Sequence, residues 1–192
     1  MKTHLLPALK LTALCFVLFV VVYPLSILGI AQLMPNQGNI AFVESQGKMV
    51  GVAHIGQRFD QDRYFNGRPS AVDYNAAASG GSNKGTSNPA YLAQVQARID
   101  TFLVHNPAVQ RHEIPAELVT ASGSGLDPDL SVAAALIQVK RIAHVRKIPV
   151  ALVEALVQQH VQEPLWGLFG PRHINVLALN IALDQLSTKT LQ

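Results

Sequence analysis

The sequence predicts an α+β protein in which one N-terminal transmembrane helix is followed by a single soluble domain of mixed helices and strands. No charged residue lies between Lys10 and Glu44, and this apolar run exceeds the roughly 20 residues that a helix needs to cross the hydrocarbon core. Beyond it, apolar residues recur at helical spacing, whereas Lys48 to Ile55 alternates like a short strand. A length of 192 residues suits one anchor and one domain.

The anchor divides the chain into residues 1–10, the transmembrane helix at 11–34 and the soluble domain at 35–192. Lys2 and Lys10 precede the span, and the first charge after it is the acidic Glu44. Because positive charge is retained on the cytoplasmic side, this asymmetry predicts a cytoplasmic N-terminus. We therefore expect a single-pass protein of the cell inner membrane whose domain faces the periplasm.

A cleaved secretory signal is the alternative interpretation of this segment, with Gly29-Ile30-Ala31 as its cleavage site. The residues around that site stay apolar where a cleavage region turns polar, which favours a retained helix. Pro24 removes one backbone donor and is expected to loosen the helix, and Ser26 lies close enough to compensate.

The domain begins with a turn-rich joint at Pro35 to Asn39, followed by the strand at Lys48 to Ile55. Residues 57–89 lack a helical period and interleave aromatic residues with arginines, so they predict an ordered loop with a functional or docking role. Apolar spacing and capping residues then predict the remaining elements in order. These are a helix from Pro89 to Val104, a short strand or turn from Pro115 to Thr120, helices from Val132 to Arg146 and Pro149 to Val161, and a final strand and amphipathic helix in HINVLALNIALDQLS.

Composition excludes several classes of protein. The net charge is +3 with Lys and Arg scattered among acidic residues, so nucleic acid is not an expected partner. Cys15 is the only cysteine and lies in the apolar run, which excludes an intrachain disulfide and a cysteine metal site. The histidines show no metal-ligand spacing, and we predict no metal site.

Three strings resemble catalytic signatures and fail on their mechanics. In GGSNKGTS, Lys84 precedes Gly85, whereas a phosphate loop places Lys after the glycine. Neither Ser122 nor Ser124 has the glycine two residues before it that a nucleophile elbow needs. Pro115 interrupts the zinc-protease pattern that starts at His112. We predict no catalytic residue.

Two stretches rich in Gly, Ser and Asn, Ala78 to Asn88 and Ala121 to Gly125, leave alternatives open. They can cradle an anion with backbone N–H groups, pack closely against another backbone, or form two tight loops. Asp127 and Asp129 can bind a cation or act as acid and base, but a cap for the helix near Ser131 is favoured. Three cations, Arg141, Arg146 and Lys147, lie near a predicted helix end. They can bind an anion, but complementation of the helix dipole is favoured.

Several blocks resemble the C subunit of the Kdp potassium-transporting P-type ATPase, in that family's order and over nearly the whole chain. They are YFNGRPSA, YNAAASGGSN, TSNP, LVTASGSGLDP, AAALIQV followed by Arg141, and NVLALNIALD. The resemblance implies an accessory subunit needed for assembly and activity of high-affinity potassium uptake. Its implied partners are a channel-like potassium-binding subunit, the P-type ATPase subunit and a small membrane subunit.

The same resemblance implies a catalytic chaperone that raises the ATP affinity of the ATPase subunit. The positions that match the family's nucleotide-associated residues are Ser122, Gly123, Ser124, Gly125 and Gln138. ATP is cytosolic, however, whereas the charge rule places this domain outside. Direct ATP contact is therefore the less favoured part of the resemblance, and capping of the potassium-entry subunit is favoured.

Three functions remain as hypotheses. The favoured one is a non-catalytic subunit whose helix packs on partner helices and whose Phe59 to Asn88 region docks on a partner's outer loops. The second is a membrane-tethered serine hydrolase that uses Ser122 or Ser124 with a histidine and Asp127 or Asp129. The third is a module that binds ATP or another anion on the Ser-Gly loops.

Overall fold

The structure, a computed structural model, describes residues 2–190 and forms two compact units. The first unit reaches Ala41, and the second begins at Phe42. The second unit combines helices with short strands. The predicted fold class, one N-terminal apolar helix and a mixed helix and strand domain, is confirmed.

The first unit contains one continuous helix with three parts: α1 (Lys2–Phe16), a π-helical turn (Val17–Val22) and α2 (Tyr23–Gln32). A 3-10 turn at Pro35–Gly38 follows it. The helical stretch from His4 to Gln32 is 29 residues long, and within residues 2–190 it is the helix with the length and hydropathy to cross a membrane. The helix starts before the predicted start of the span at Leu11. The positions of the bilayer boundaries along this helix, including the predicted span at residues 11–34, stay predictions.

The π-helical turn lies directly before Pro24, which explains its position. Proline has no backbone N–H, and its ring clashes with the carbonyl one turn earlier in a regular helix. The wider turn avoids that clash, and Tyr23 donates its N–H to the carbonyl of Leu18, five residues back. The Ser26 hydroxyl donates to the carbonyl of Val22 at 2.8 Å. The expected loosening at Pro24 is confirmed. Compensation by Ser26 stays a prediction, because Ser26 donates to Val22 and not to Val20, the residue four positions before Pro24.

The second unit opens with an antiparallel hairpin of β1 (Phe42–Ser45) and β2 (Lys48–Val52). Gln46 and Gly47 form its turn with φ values of 52° and 73°, as the favoured two-residue hairpin turn requires. Of these two strands, β2 is predicted from the sequence and β1 is not.

The remaining elements agree closely with the expected order. They are α3 (Pro89–His105), short 3-10 turns at Arg111–Glu113 and Ala116–Leu118, β3 (Asp129–Leu130), α4 (Val132–Leu136), α5 (Val139–Arg146), α6 (Val150–Gln159), β4 (Ile174–Asn175) and α7 (Val176–Thr190). Strands β3 and β4 pair antiparallel. The single helix predicted from Val132 to Arg146 is divided at Ile137 and Gln138.

The apolar core lies among α4, α5, α6 and α7, and residues from the connecting segments join it. Ile142, Val153 and Leu183 are fully buried there. Phe65, from the long loop before α3, is also 0% exposed and belongs to the same core. Burying a side chain of this size contributes about 2 kcal/mol. The loop is therefore fixed to the helices by an apolar anchor.

Helix starts follow the capping residues. The Asn88 side chain accepts the Tyr91 N–H at 3.0 Å and caps α3, which begins at the predicted residue, Pro89. Ser131 caps α4 by accepting the Ala134 N–H at 3.2 Å. The interpretation of Asp127 or Asp129 as this cap is wrong, because Ser131 itself occupies the cap position.

Candidate functional site around the central loop

The central loop (residues 57–88) contains neither helix nor strand, yet a core amide holds it. Asn180 of α7 is 2% exposed. Its Oδ1 accepts the Phe65 N–H at 2.9 Å, and its Nδ2 donates to the Phe65 carbonyl at 3.0 Å. The side chain therefore replaces the neighbouring strand that this extended backbone lacks. Order in this part of the loop, predicted from the sequence, is confirmed.

Gln138 repeats the same arrangement one residue further along the loop. Its Oε1 accepts the Asn66 N–H at 2.9 Å, and its Nε2 donates to the Asn66 carbonyl at 3.1 Å and to the Ala134 carbonyl at 3.0 Å. The residue is 0% exposed. Both hydrogens of its amide are thus used inside the domain.

Arg141 is the centre of a buried polar network. Its Nε donates to Asn106 Oδ1 at 3.0 Å, and its Nη1 donates to the Asp62 carbonyl at 2.7 Å. Its Nη2 donates to Asn66 Oδ1 at 2.8 Å and to Gln138 Oε1 at 2.7 Å. Burial lowers the pKa of Arg141, and the nearby Asp62 carboxylate opposes that effect. We call Arg141 and these four partners the arginine network.

Arg146 forms a second tie between helix and loop. Its Nε donates to the Arg63 carbonyl at 2.7 Å, and its other nitrogens donate to Ser187 at 2.8 Å and Asp184 at 2.7 Å. Its guanidinium lies 4.9 Å from the centre of the Tyr64 ring, a favourable cation–π distance. The favoured dipole interpretation does not account for Arg141 and Arg146, because their contacts are with distant segments. Lys147 ends α5 in a left-handed conformation with φ 55°.

Asp127 and Asp129 have separate partners. Asp127 Oδ2 accepts from Arg68 Nη1 at 3.0 Å, which fastens the loop to the start of β3. Burial raises the pKa of Asp129, and the opposing influences come from His173, whose Nε2 is 4.0 Å away, and from a hydrogen bond with Asn175. Both carboxylates therefore serve contacts within the domain.

The two stretches rich in Gly and Ser lie against each other. Gly80 donates its N–H to the Ser124 carbonyl at 2.8 Å, and the Ser79 hydroxyl donates to the same carbonyl at 3.1 Å. The Ser122 N–H donates to the Pro69 carbonyl at 3.3 Å. We call Ala121 to Gly125 the Ser-Gly loop, and its backbone borders the central loop along this contact.

Glycine is required at the closest points of this contact. Gly125 has a φ of +69°, and a Cβ there would lie 2.6 Å from Val72 Cγ2 and 2.8 Å from the Gly80 carbonyl oxygen. A Cβ on Gly81 would lie 3.0 Å from the Gly123 carbonyl oxygen. Of the alternatives left open by the sequence, close packing of backbone on backbone describes these glycines.

The positions implied for nucleotide binding differ in accessibility. Gln138, Ser122 and Gly125 are buried, with exposed fractions of 0% for Gln138 and 3% for Ser122, whereas Gly123 and Ser124 are exposed. Ser122 and Gln138 both bind the same stretch of loop, at Pro69 and Asn66. Nucleotide contact at these residues stays a prediction.

The serine hydrolase hypothesis gains no support from the described residues. Within residues 2–190, no hydrogen bond joins Ser122 or Ser124 to a histidine. The Ser124 Oγ instead accepts the Leu126 N–H at 3.1 Å.

Three asparagines that take part in holding the loop were not predicted from the sequence. Asn66 lies in the YFNGRPSA block, which is the only signal that could have pointed to it. Asn106 and Asn180 bind partners 35 and 115 residues away. No local pattern reports such contacts.

Residues 5–185 match the family model KdpC: K+-transporting ATPase, c chain. The chain belongs to this KdpC family. It is 59% identical to the potassium-transporting ATPase KdpC subunit of Flavobacterium psychrophilum over 178 residues, which cover 93% of this chain and 96% of that protein. It is 50% identical to the subunit of the same name from Bacteroides fragilis strain YCH46 over 192 residues, covering 98% of this chain and 100% of that protein. The resemblance noted in the sequence is confirmed.

Proposed function

We propose that the chain is a non-catalytic accessory subunit of an ATP-driven potassium uptake complex in the cell inner membrane. The observation that carries this proposal is the arginine network. The buried polar side chains that could have supplied chemistry are used to hold the central loop on the helices. A domain built in this way presents a fixed surface, which suits assembly with partner subunits.

Each unit has a surface for partners. The helix from His4 to Gln32 is apolar, and its most apolar stretch is 0% buried within the protein. Partner helices and lipid are therefore its expected surroundings. In the domain, residues 75–79 and 83–87 of the central loop are exposed. The partners implied by family resemblance are the channel-like potassium-binding subunit, the P-type ATPase subunit and the small membrane subunit.

Any effect on ATP affinity is proposed to pass through the ATPase subunit. The charge rule favours an outward domain and a cytoplasmic N-terminus, so cytosolic ATP does not reach it. Burial of Gln138 and Ser122 also speaks against direct contact, because the Gln138 side-chain amide and the Ser122 N–H already bind the loop. Gly123 and Ser124 are the exposed positions of the set.

Removal of the chain from the complex tests the proposal. Cells that produce the other subunits with and without this chain are compared for assembly of the purified membrane complex and for its potassium-stimulated ATPase activity. We expect both to be lost without the chain and retained with a Ser124→Ala variant. Unchanged assembly and activity without the chain would contradict an accessory role.

ATP binding to the purified full chain separates the remaining alternatives. We expect no saturable binding by equilibrium dialysis, and no hydrolysis of ester substrates. Saturable ATP binding that Ser124→Ala abolishes would support the anion-binding module, and turnover that Ser122→Ala or Ser124→Ala abolishes would support the hydrolase.

A further inference from the structure

Between α6 and β4 the chain forms a narrow finger, defined here as Gln162 to His173. Gln162 and His173 close its base with two backbone hydrogen bonds of 2.8 and 3.2 Å. Leu165 and Phe169 pair nearer the tip with two bonds of 3.0 Å. Trp166 and Gly167 make the turn with φ values of 55° and 73°. The finger is therefore a defined hairpin rather than an irregular loop.

The tip of the finger exposes four large apolar side chains. Trp166 is 82% exposed, Leu168 80%, Leu165 63% and Phe169 61%. The Trp166 and Phe169 rings lie edge to face with 6.0 Å between their centres. Clustered apolar surface of this kind marks an interaction site in a soluble domain.

Charge is confined to the base of the finger. Residues 164–171 carry no charged side chain, and Glu163 and Arg172 face each other below them with 2.9 Å between Oε1 and Nη2. A protein partner recognised by polar contacts would find almost none at this tip. Tryptophan with adjacent apolar residues, and charge at one level beneath them, is the arrangement found at membrane–water interfaces.

The backbone of the tip is also suited to lipid. Gly167 donates its N–H to the Pro164 carbonyl at 2.8 Å, and Leu168 donates to the Leu165 carbonyl at 3.1 Å. The Leu165 and Phe169 N–H groups are paired with each other's carbonyls, and Pro164 and Pro171 have no N–H to satisfy. Four of the six N–H groups from Leu165 to Gly170 are therefore paired within the finger, which lowers the cost of bringing this backbone into contact with lipid.

A lipid surface is within reach of the domain. Residues 33–41 join the apolar helix to β1, and even fully extended they span only about 30 Å at roughly 3.4 Å per residue. A short tether of this kind keeps the domain at a high effective concentration near the bilayer, which favours even a weak second contact.

We propose that the finger inserts Trp166 and its apolar neighbours into the headgroup and acyl boundary of the bilayer that holds the N-terminal helix. The finger then acts as a second membrane contact and limits the orientations of the domain. This inference rests on the proposed membrane anchoring.

Trp166 is the only tryptophan of the chain, so its fluorescence reports on the tip alone. The full chain is reconstituted into vesicles of phosphatidylcholine and phosphatidylglycerol with and without brominated acyl chains. We expect Trp166 to lose most of its emission in brominated vesicles and to be protected from acrylamide. Emission that acrylamide quenches and brominated lipid leaves unchanged would overturn the proposal.

Two variants serve as controls. Leu168→Ser with Phe169→Ser keeps the reporter and removes exposed side chains, so we expect an unchanged thermal unfolding midpoint and loss of quenching by brominated lipid. Trp166→Phe with Leu92→Trp moves the reporter to an exposed position of α3, where Leu92 is 52% exposed. We expect no quenching by brominated lipid there, and equal quenching at both positions would refute a role specific to the finger.

Two further outcomes distinguish membrane insertion of the finger from its alternatives. Shielding of Trp166 that requires the assembled complex and is absent in lipid alone would assign the finger to a protein partner and overturn insertion. Flotation of the vesicles tests the anchor separately. A chain that floats with unquenched Trp166 refutes the finger and leaves the anchor intact, whereas a chain that does not float refutes the proposed anchoring and insertion together.

Discussion

Arg141 shows how one side chain can fix a loop that has no regular structure. Its side chain is 3% exposed, and its guanidinium donates to the loop, to Asn106 directly after α3 and to Gln138 directly before α5. A buried cation is costly unless every donor finds a partner. Here the partners are preordered by their own contacts, since Asn66 and Gln138 already bind each other.

Replacement of Arg141 by methionine is expected to lower the free energy of unfolding by about 3 kcal/mol, because its buried polar partners are left without a donor. Urea denaturation of the full chain in detergent, followed by circular dichroism, measures this loss. Lys140→Met is the matched control, since Lys140 is the preceding residue of α5 and is exposed. We expect this control to change stability by less than about 0.5 kcal/mol. Equal effects of the two substitutions would contradict the role of the network.

Single residues were predictable where their signal was local. Asn88 before Pro89 indicates the start of α3, because the capping side chain and the Tyr91 N–H that it accepts are three residues apart. The role of Arg141 was not predictable, since its loop partners lie 75 and 79 residues away in sequence. The sequence shows only a cation near a helix end, which is why the dipole interpretation was favoured.

At the scale of elements, the Ser-Gly loop and the central loop act as one unit. Their hydrogen bonds run between backbones, as with Gly80 and Ser124. This close approach of the two backbones requires glycine at some positions of the Ser-Gly loop but not at every one. Gly123 has no atom within 4 Å of the position a Cβ would take.

Gly125→Ala is expected to destabilise the domain by at least about 2 kcal/mol, because alanine is strained at positive φ and its Cβ would also collide with its neighbours. Gly123→Ala, two residues earlier in the same loop, is expected to stay within about 0.5 kcal/mol of the parent. Chemical denaturation of both variants gives the comparison. A neutral Gly125→Ala, or a Gly123→Ala just as damaging, would show that the contact is looser than the structure indicates.

The helices α3, α6 and α7 could be placed from apolar spacing. Helices α6 and α7 bury residues of one face, whereas the inward side chains of α3, such as Phe102, are half-buried. The division between α4 and α5 could not be placed in this way. There the Gln138 N–H bonds to the carbonyl of Ala135, three residues back, at 3.1 Å. This tighter turn accompanies the pairing of Gln138 with Asn66, a contact that no local propensity records.

At the scale of the whole molecule, sidedness decides between the two accounts of the family's ATP-related role. An outward domain can act on the ATPase subunit only through the complex, whereas an inward domain could contact ATP. The expectation of an outward domain depends on Lys2, Lys10 and Glu44.

Cysteine accessibility in intact cells tests that expectation. A Lys84→Cys variant in a Cys15→Ser background places one thiol on an exposed part of the central loop, next to Asn83. We expect a membrane-impermeant maleimide to label it, while a His4→Cys control reacts only after the cells are permeabilised. The reverse pattern would place the domain in the cytoplasm and reopen direct ATP contact.

The hydrogen bonds between Phe65 and Asn180 carry a consequence for how the domain is made. They join residues 115 positions apart, and contacts of such separation form late and slowly. Synthesis supplies the loop first and α7 last, so the Phe65 backbone lacks this partner until the chain is nearly complete. A nascent chain stopped before Asn180 would keep the contacts with Gln138 and Arg141 but leave the loop around Phe65 more open to proteases, and the final helix thus completes the folding of the loop.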